Sequence, residues 1–239
     1  METTETSESK FLALGMVLLD EQIAKEEVLG RLAAAGFSPE FTTGENGGPM
    51  VELSVGEVSV FLDPLPFSLP GDEVLENIHP VFTEDSEMQR IGMHRAHLLL
   101  AAVDFDGSAD VLAVHRAHAR VLREVSSWEE VAGYSLAGTT MGPTALRREL
   151  GEEADPVAVW APAWVWEGDD GVTGYTFGLT RFGLPELQIV GAPVPAPEAY
   201  LMLIDASRHL IEGGTLESLE GESATWVVDP SREAWQLRR

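Results

Sequence analysis

Apolar residues fall into two alternating spacings along this chain of 239 residues. Residues 11–19 form an unbroken apolar run of strand length. The segment 21–35 then repeats apolar side chains at Ile23, Val28, Leu32 and Ala35, the spacing of one helix face, and Gly36 supplies a helix stop. Glycine and polar residues fill 38–49, which reads as a loop. Next, 50–62 alternates Val51, Leu53, Val55 and Val58, Val60, Leu62 about Gly56, the pattern of a β-hairpin. Three prolines within 63–70 end the sheet, and 71–92 reads as irregular with one short helix.

The same order then recurs in a longer form. Residues 97–103 predict a buried strand. A helix starts at Ser108 and reaches about residue 126, with Val111, Val114, Val121 and Val125 on one stripe. Residues 131–137 predict a strand and 144–150 a short helix. A hairpin over 157–166 and 173–180 turns at the acidic segment 167–171. A strand at 186–190, a helix at 197–212 that opens on Pro197 and stops at Gly213-Gly214, and two short strands complete the pattern. The expected fold is α+β, a mainly antiparallel sheet with helices packed on one face. One reading is a degenerate duplication of a strand-helix-hairpin unit, and the other is that both halves share one sheet. The expected division is a disordered acidic segment at 1–10, an N-terminal half at 11–92 and a C-terminal half at 93–239.

Composition removes several classes of chemistry. The chain has no cysteine, which excludes disulfides, thiolate metal sites and cysteine nucleophiles and fits a reducing compartment. No apolar stretch approaches the roughly 20 residues that span a bilayer. The first ten residues lack the basic start and apolar run of a secretory signal, so a cytoplasmic location is expected. The formal net charge is −25, which opposes binding to nucleic acid or anionic lipid because both require phosphates to be neutralised. Two lysines stand beside thirteen arginines. The acidity reads either as adaptation to the host or as a surface complementary to a basic protein partner.

Candidate chemistry concentrates in the glycine-punctuated, aromatic run 174–189. Its polar members Tyr175, Thr176, Arg181 and Glu186 stand among apolar residues, and each needs a partner if buried. Phe177, Leu179, Phe182 and Leu184 read as core, Gly178 as a bulge or a point of close backbone approach, and Arg181 and Glu186 either as site residues or as partners of one another. Histidines occur as His94/His97 and His115/His118. Three-residue spacing suits metal ligands on a helix, but the first pair straddles a strand entrance and His118 lies on an apolar stripe, so no metal site and no cofactor is expected. The cluster Gly138-Thr139-Thr140-Met141-Gly142-Pro143 has the composition of an anion cradle at a helix N-terminus, and equally of an ordinary capped loop. Trp160, Trp164 and Trp166 have even spacing and would share one face of a single strand, either as core or as a recognition patch. No P-loop, nucleophile elbow, dinucleotide fingerprint or HExxH is present.

The run Tyr175-Thr176-Phe177-Gly178-Leu179-Thr180-Arg181-Phe182-Gly183-Leu184-Pro185-Glu186-Leu187 resembles a near-identical run in the bacterial family called domain of unknown function 4261. The resemblance covers chiefly the second half of the chain and implies no assigned activity. Taken with the charge and the missing catalytic motifs, it leaves a noncatalytic, acidic, protein-binding or regulatory module as the first expectation, with an immunity-like role against a basic toxin as one form. The alternative is an enzyme or small-molecule-binding protein working near 175–186 together with His97.

Overall fold

A computed structural model describes residues 12–44, 47–79, 83–136, 138–151, 155–215, 225–229 and 234–238. The acidic segment 1–10 lies outside the described residues. Contacts divide the chain into two compact units, Met1–Gly151 and Glu152–Arg239.

The first unit contains β1 (Leu12–Leu19), α1 (Lys25–Ala34), β2 (Glu40–Thr43), β3 (Pro49–Val55), β4 (Val58–Leu65), α2 (Gly71–Glu76), α3 (Asp85–Gly92), β5 (Ala96–Val103), α4 (Val111–Ser126), β6 (Val131–Leu136), β7 (Thr139–Met141) and α5 (Pro143–Glu149). Its seven strands form one sheet in the order β2-β3-β4-β5-β1-β6-β7, antiparallel at every pairing. In β1 the residues Ala13, Gly15, Val17 and Leu19 alternate onto one face and are buried. At Gly15 an added Cβ would lie 2.1 Å from the Tyr134 hydroxyl, so the missing side chain is what lets that ring lie on the strand. Helix α4 covers this face. Its N-cap is Asp110, whose carboxylate accepts from the Ala113 amide at 2.7 Å. Val114, Val121 and Val125 are fully buried, each such burial contributing about 1.5–3 kcal/mol.

The α+β class and the mainly antiparallel sheet stand as the sequence pattern implies, with three differences in the first unit. The polar segment 40–43, read as loop, is an edge strand, which needs no apolar alternation because neither of its faces is buried. The segment 71–92 holds two helices, and they lie on the face opposite α4. There Leu18, Val74, Ile91 and Ala132 form a buried cluster, so α2 and α3 depart from the single-face expectation. Finally, β5 pairs with both β4 and β1. Residues on either side of position 92 therefore share one sheet, and the division falls after Gly151.

The second unit contains α6 (Val157–Trp160), β8 (Ala163–Gly168), β9 (Gly171–Thr176), a 3-10 turn (Leu179–Phe182), β10 (Glu186–Ala192), α7 (Ala196–Ile211), β11 (Thr225–Asp229) and β12 (Ala234–Arg238). The strand order is β11-β12-β10-β9-β8, with β10 and β12 parallel and the other pairs antiparallel. Helix α7 packs on one face and buries Ala199, Leu203, Ala206 and Leu210. A Cβ on Gly174 would sit 3.2 Å from Leu203 Cδ1 and 2.7 Å from the Trp164 carbonyl, so this glycine sets how closely helix and sheet approach. Among the described residues no helix is long and apolar enough to cross a membrane.

Residues 157–166 are not one strand. Pro156 precedes the helical turn 157–160 and Pro162 follows it. Proline fixes φ and offers no amide to a ladder, so the strand begins only at Ala163. Trp160 thus leaves the predicted aromatic row and is buried at 2 % exposure, while Trp164 is half-buried and Trp166 is exposed.

Candidate functional site

The 174–189 run builds a closed turn over Trp160. Thr176 donates its hydroxyl to Glu186 Oε2 at 2.7 Å and accepts from the Leu187 amide at 2.8 Å. Glu186 Oε1 accepts the amides of Gly178 at 2.8 Å and Thr180 at 3.3 Å, two of the donors that the first turn of a helical segment leaves without internal partners. Gly178 has φ +121°, and a Cβ there would lie 2.6 Å from the Trp160 carbonyl. Only glycine satisfies both conditions. Arg181 donates to that same carbonyl at 3.4 Å, and the Phe182 ring lies 5.9 Å from the Trp160 ring. Gly183, at φ +71°, ends the turn.

This geometry separates the residues grouped by sequence. Thr176 and Glu186 spend their polar atoms on one another and on the main chain. Arg181 bonds to a backbone carbonyl in place of the expected ion pair with Glu186. His97 belongs to the first unit, where it is 3 % exposed and its Nδ1 lies 2.8 Å from the Phe67 carbonyl. Nearby, His94 Nε2 accepts the Leu69 amide at 2.9 Å and its Nδ1 lies 2.7 Å from the Ile91 carbonyl, which fixes the neutral tautomer that donates from Nδ1. Burial, the largest cause, lowers the His94 pKa below its ordinary value. Among the described residues no three His, Asp or Glu side chains are grouped so as to hold a metal ion.

The glycine cluster ahead of α5 does face an anion, and the anion is the chain's own. Glu87 on α3 is 7 % exposed and accepts the Thr144 amide at 2.9 Å. A Cβ on Gly142 would fall 2.1 Å from its Oε2. The same carboxylate completes a capping box with Glu84 at the start of α3.

Of the run's polar members, Tyr175 alone is exposed on a sheet face. The register places Trp164 opposite Tyr175, Tyr175 opposite Gln188, and Trp166 opposite Thr173, on the side away from α7. Trp166 is 47 % exposed and Tyr175 40 %, with their rings edge to face at 5.9 Å. Phe177, expected in the core, is 44 % exposed at the end of β9, and Val190 is 47 % exposed. The exposed residues Glu167, Asp169 and Asp170 stand at the β8–β9 turn beside this face. Even spacing groups Trp166 with Trp160 and Trp164, whereas its neighbour on the exposed face is Tyr175. The usable signal was the alternation in β8, which puts Trp164 and Trp166 opposite the buried Ala163 and Val165.

Comparison with known proteins gives no lead: no family model matches the chain, and neither curated proteins nor solved structures return a significant match.

Proposed function

We propose that the chain is a noncatalytic binding module that holds a basic protein partner on the outer face of its second sheet. The observation that carries this reading is the exposed pair Trp166 and Tyr175, extended by Phe177 and Val190 and flanked by the carboxylates of 167–170. Aromatic side chains supply large contact area at small entropic cost, and an aromatic face beside carboxylates suits arginine-bearing surfaces through both stacking and charge. The net charge of −25 adds long-range attraction for a basic partner. Membership of the family called domain of unknown function 4261, a bacterial origin and a cytoplasmic setting belong to the same proposal, and neutralisation of a basic toxin is its most specific form.

The test is affinity capture from the host lysate at low and moderate salt, read by mass spectrometry, with wild type run beside Trp166→Ala and Tyr175→Ala. A basic protein retained stoichiometrically by wild type and lost by both variants supports the proposal. Equal retention by the variants, or a blank at both salts, overturns it.

A further inference from the structure

Among the described residues, one end of the sheet of the first unit carries no helix on the face opposite α4. On the face opposite α4, helices α2 and α3 cover the region of Leu18, Ile91 and Ala132. The other end of the same face carries Leu12 at 54 % and Leu14 at 40 % exposure, with Phe105 at 51 %. Phe105 stands edge to face against Phe61 at 5.8 Å. Register fixes what surrounds them. One row across the sheet runs Glu40, Glu52, Phe61, Ala101, Leu14, each residue paired with the next. The next row runs Ser59, Val103, Leu12, and the row on the other side runs Asp63, Leu99, Met16. The face therefore grades from carboxylates on β2 and β3, through Ser59, Phe61 and the Lys25-paired Asp63 on β4, to aliphatic side chains on β5 and β1. Strands β5 and β1 carry the apolar strip, which Phe61 and Phe105 widen at the Leu14 row to three strands about 4.8 Å apart, about 10 Å in all, the diameter of one α-helix. Its length from Leu12 to Met16 is about 13 Å, enough for roughly nine helical residues.

From this geometry we infer that the bare end of the sheet is a docking surface for an amphipathic helix of a partner protein, one carrying lysine or arginine along the flank that meets Glu40 and Glu52. Charge decides between occupants. A second copy of this chain would bring a net charge of −25 against −25, and the carboxylate edge repels an anionic bilayer as well. A basic helix matches both the apolar strip and its acidic border. This surface lies in the first unit and does not depend on the aromatic face proposed above.

The probe is a fluorescein-labelled helical peptide of about 15 residues, with leucine at i, i+3 or i+4, and i+7 and with lysine and arginine on one flank. It is titrated against the full chain by fluorescence anisotropy, beside a scrambled peptide of equal composition. The expected result is binding with a Kd on the order of 10 μM, roughly tenfold weaker for the scrambled peptide and roughly tenfold weaker for Leu14→Glu, the loss expected from exposing one leucine contact. Double reversal at Glu40→Lys and Glu52→Lys weakens binding several-fold and flattens its salt dependence, and Trp166→Ala leaves it unchanged. Leu14 and Glu40 are exposed, so thermal melts of their variants should overlay wild type and separate lost binding from lost folding. Equal affinity for the scrambled peptide, or no effect of Leu14→Glu, overturns the inference. So does a dimer in sedimentation that Leu14→Glu dissolves, which would make a second copy the occupant. Capture by neutral lipid vesicles that the same substitution abolishes would also overturn it. Because Trp166→Ala tests the other face, the two proposals fail separately.

Discussion

Glu87 and Glu186 solve one problem in the two units by different means. Each places a carboxylate against the amides at the start of a short helical segment, just past a glycine that a side chain would displace. Glu87 is almost wholly buried and serves two helices, α3 through its capping box and α5 through the Thr144 amide. Glu186 is half-buried and shares its load with the Thr176 hydroxyl. The comparison shows how a glycine cluster that looks like a ligand cradle is satisfied from within. An anion site implied by sequence needs a check for a resident carboxylate before a ligand is sought.

The largest effect should come from the glycines themselves. Gly178→Ala forces a Cβ within 2.6 Å of a backbone carbonyl at φ +121° and should destabilise the second unit by about 3 kcal/mol or more. Residue-resolved hydrogen exchange measures this unit by unit, and protection unchanged around Trp160 would refute the account. Glu87→Ala removes a buried carboxylate and leaves part-buried amides without their acceptor at two helix starts, and should cost about 2–3 kcal/mol. Glu186→Ala, with partial access to water, should cost about 1–2 kcal/mol. Equal costs in chemical denaturation would erase the distinction between the two sites.

A smaller effect depends on pH. The His94 pKa is lowered in the folded protein, so an unfolded chain binds its proton first as pH falls. Stability from this group is complete above the ordinary histidine value of about 6.5 and declines below it. Protonation would set a second N–H against the Leu69 amide. The titratable groups that act on the ring are His97, which opposes its protonation, and Asp20, which favours it. Asp20 is itself paired with Arg90. The Leu69 amide should therefore lose exchange protection as the pH falls below about 6.5, and in His94→Gln that pH dependence should vanish. The Glu130 carboxylate, held low by its two-point bond to Arg31, contributes stability above about pH 4.5 that is lost on further acidification. The smallest change in stability belongs to Trp166→Ala. The side chain is exposed, so the variant's unfolding free energy should stay within about 0.5 kcal/mol of wild type while partner capture is lost.

Periodicity made the long elements legible. The apolar run of β1, the β3–β4 alternation about Gly56 and the stripes of α4 and α7 each leave a signal several residues long. The four-residue helix at Trp160 leaves none, because four apolar residues satisfy either period, and the two bracketing prolines were the better clue. At the motif, sequence identified residues that need partners but not which partners. Thr176 and Glu186 lie ten positions apart and meet only because a turn brings β9 and β10 together. Glu87 and Thr144 are 57 positions apart, and nothing local marks that bond. Tyr175 was found for its chemistry. Its exposure followed from a strand pairing that no single segment contains.

The central place of β1 has a cost during synthesis. Leu12–Leu19 is one of the most apolar segments of the chain, yet both of its neighbours, β5 and β6, are encoded far downstream. A ribosome adding about 5–20 residues per second leaves that strand without its partners for several seconds after it is made. Over that interval its two open edges are available to any other nascent strand. Whatever shields that strand until β5 arrives therefore protects the nascent chain from edge-to-edge aggregation.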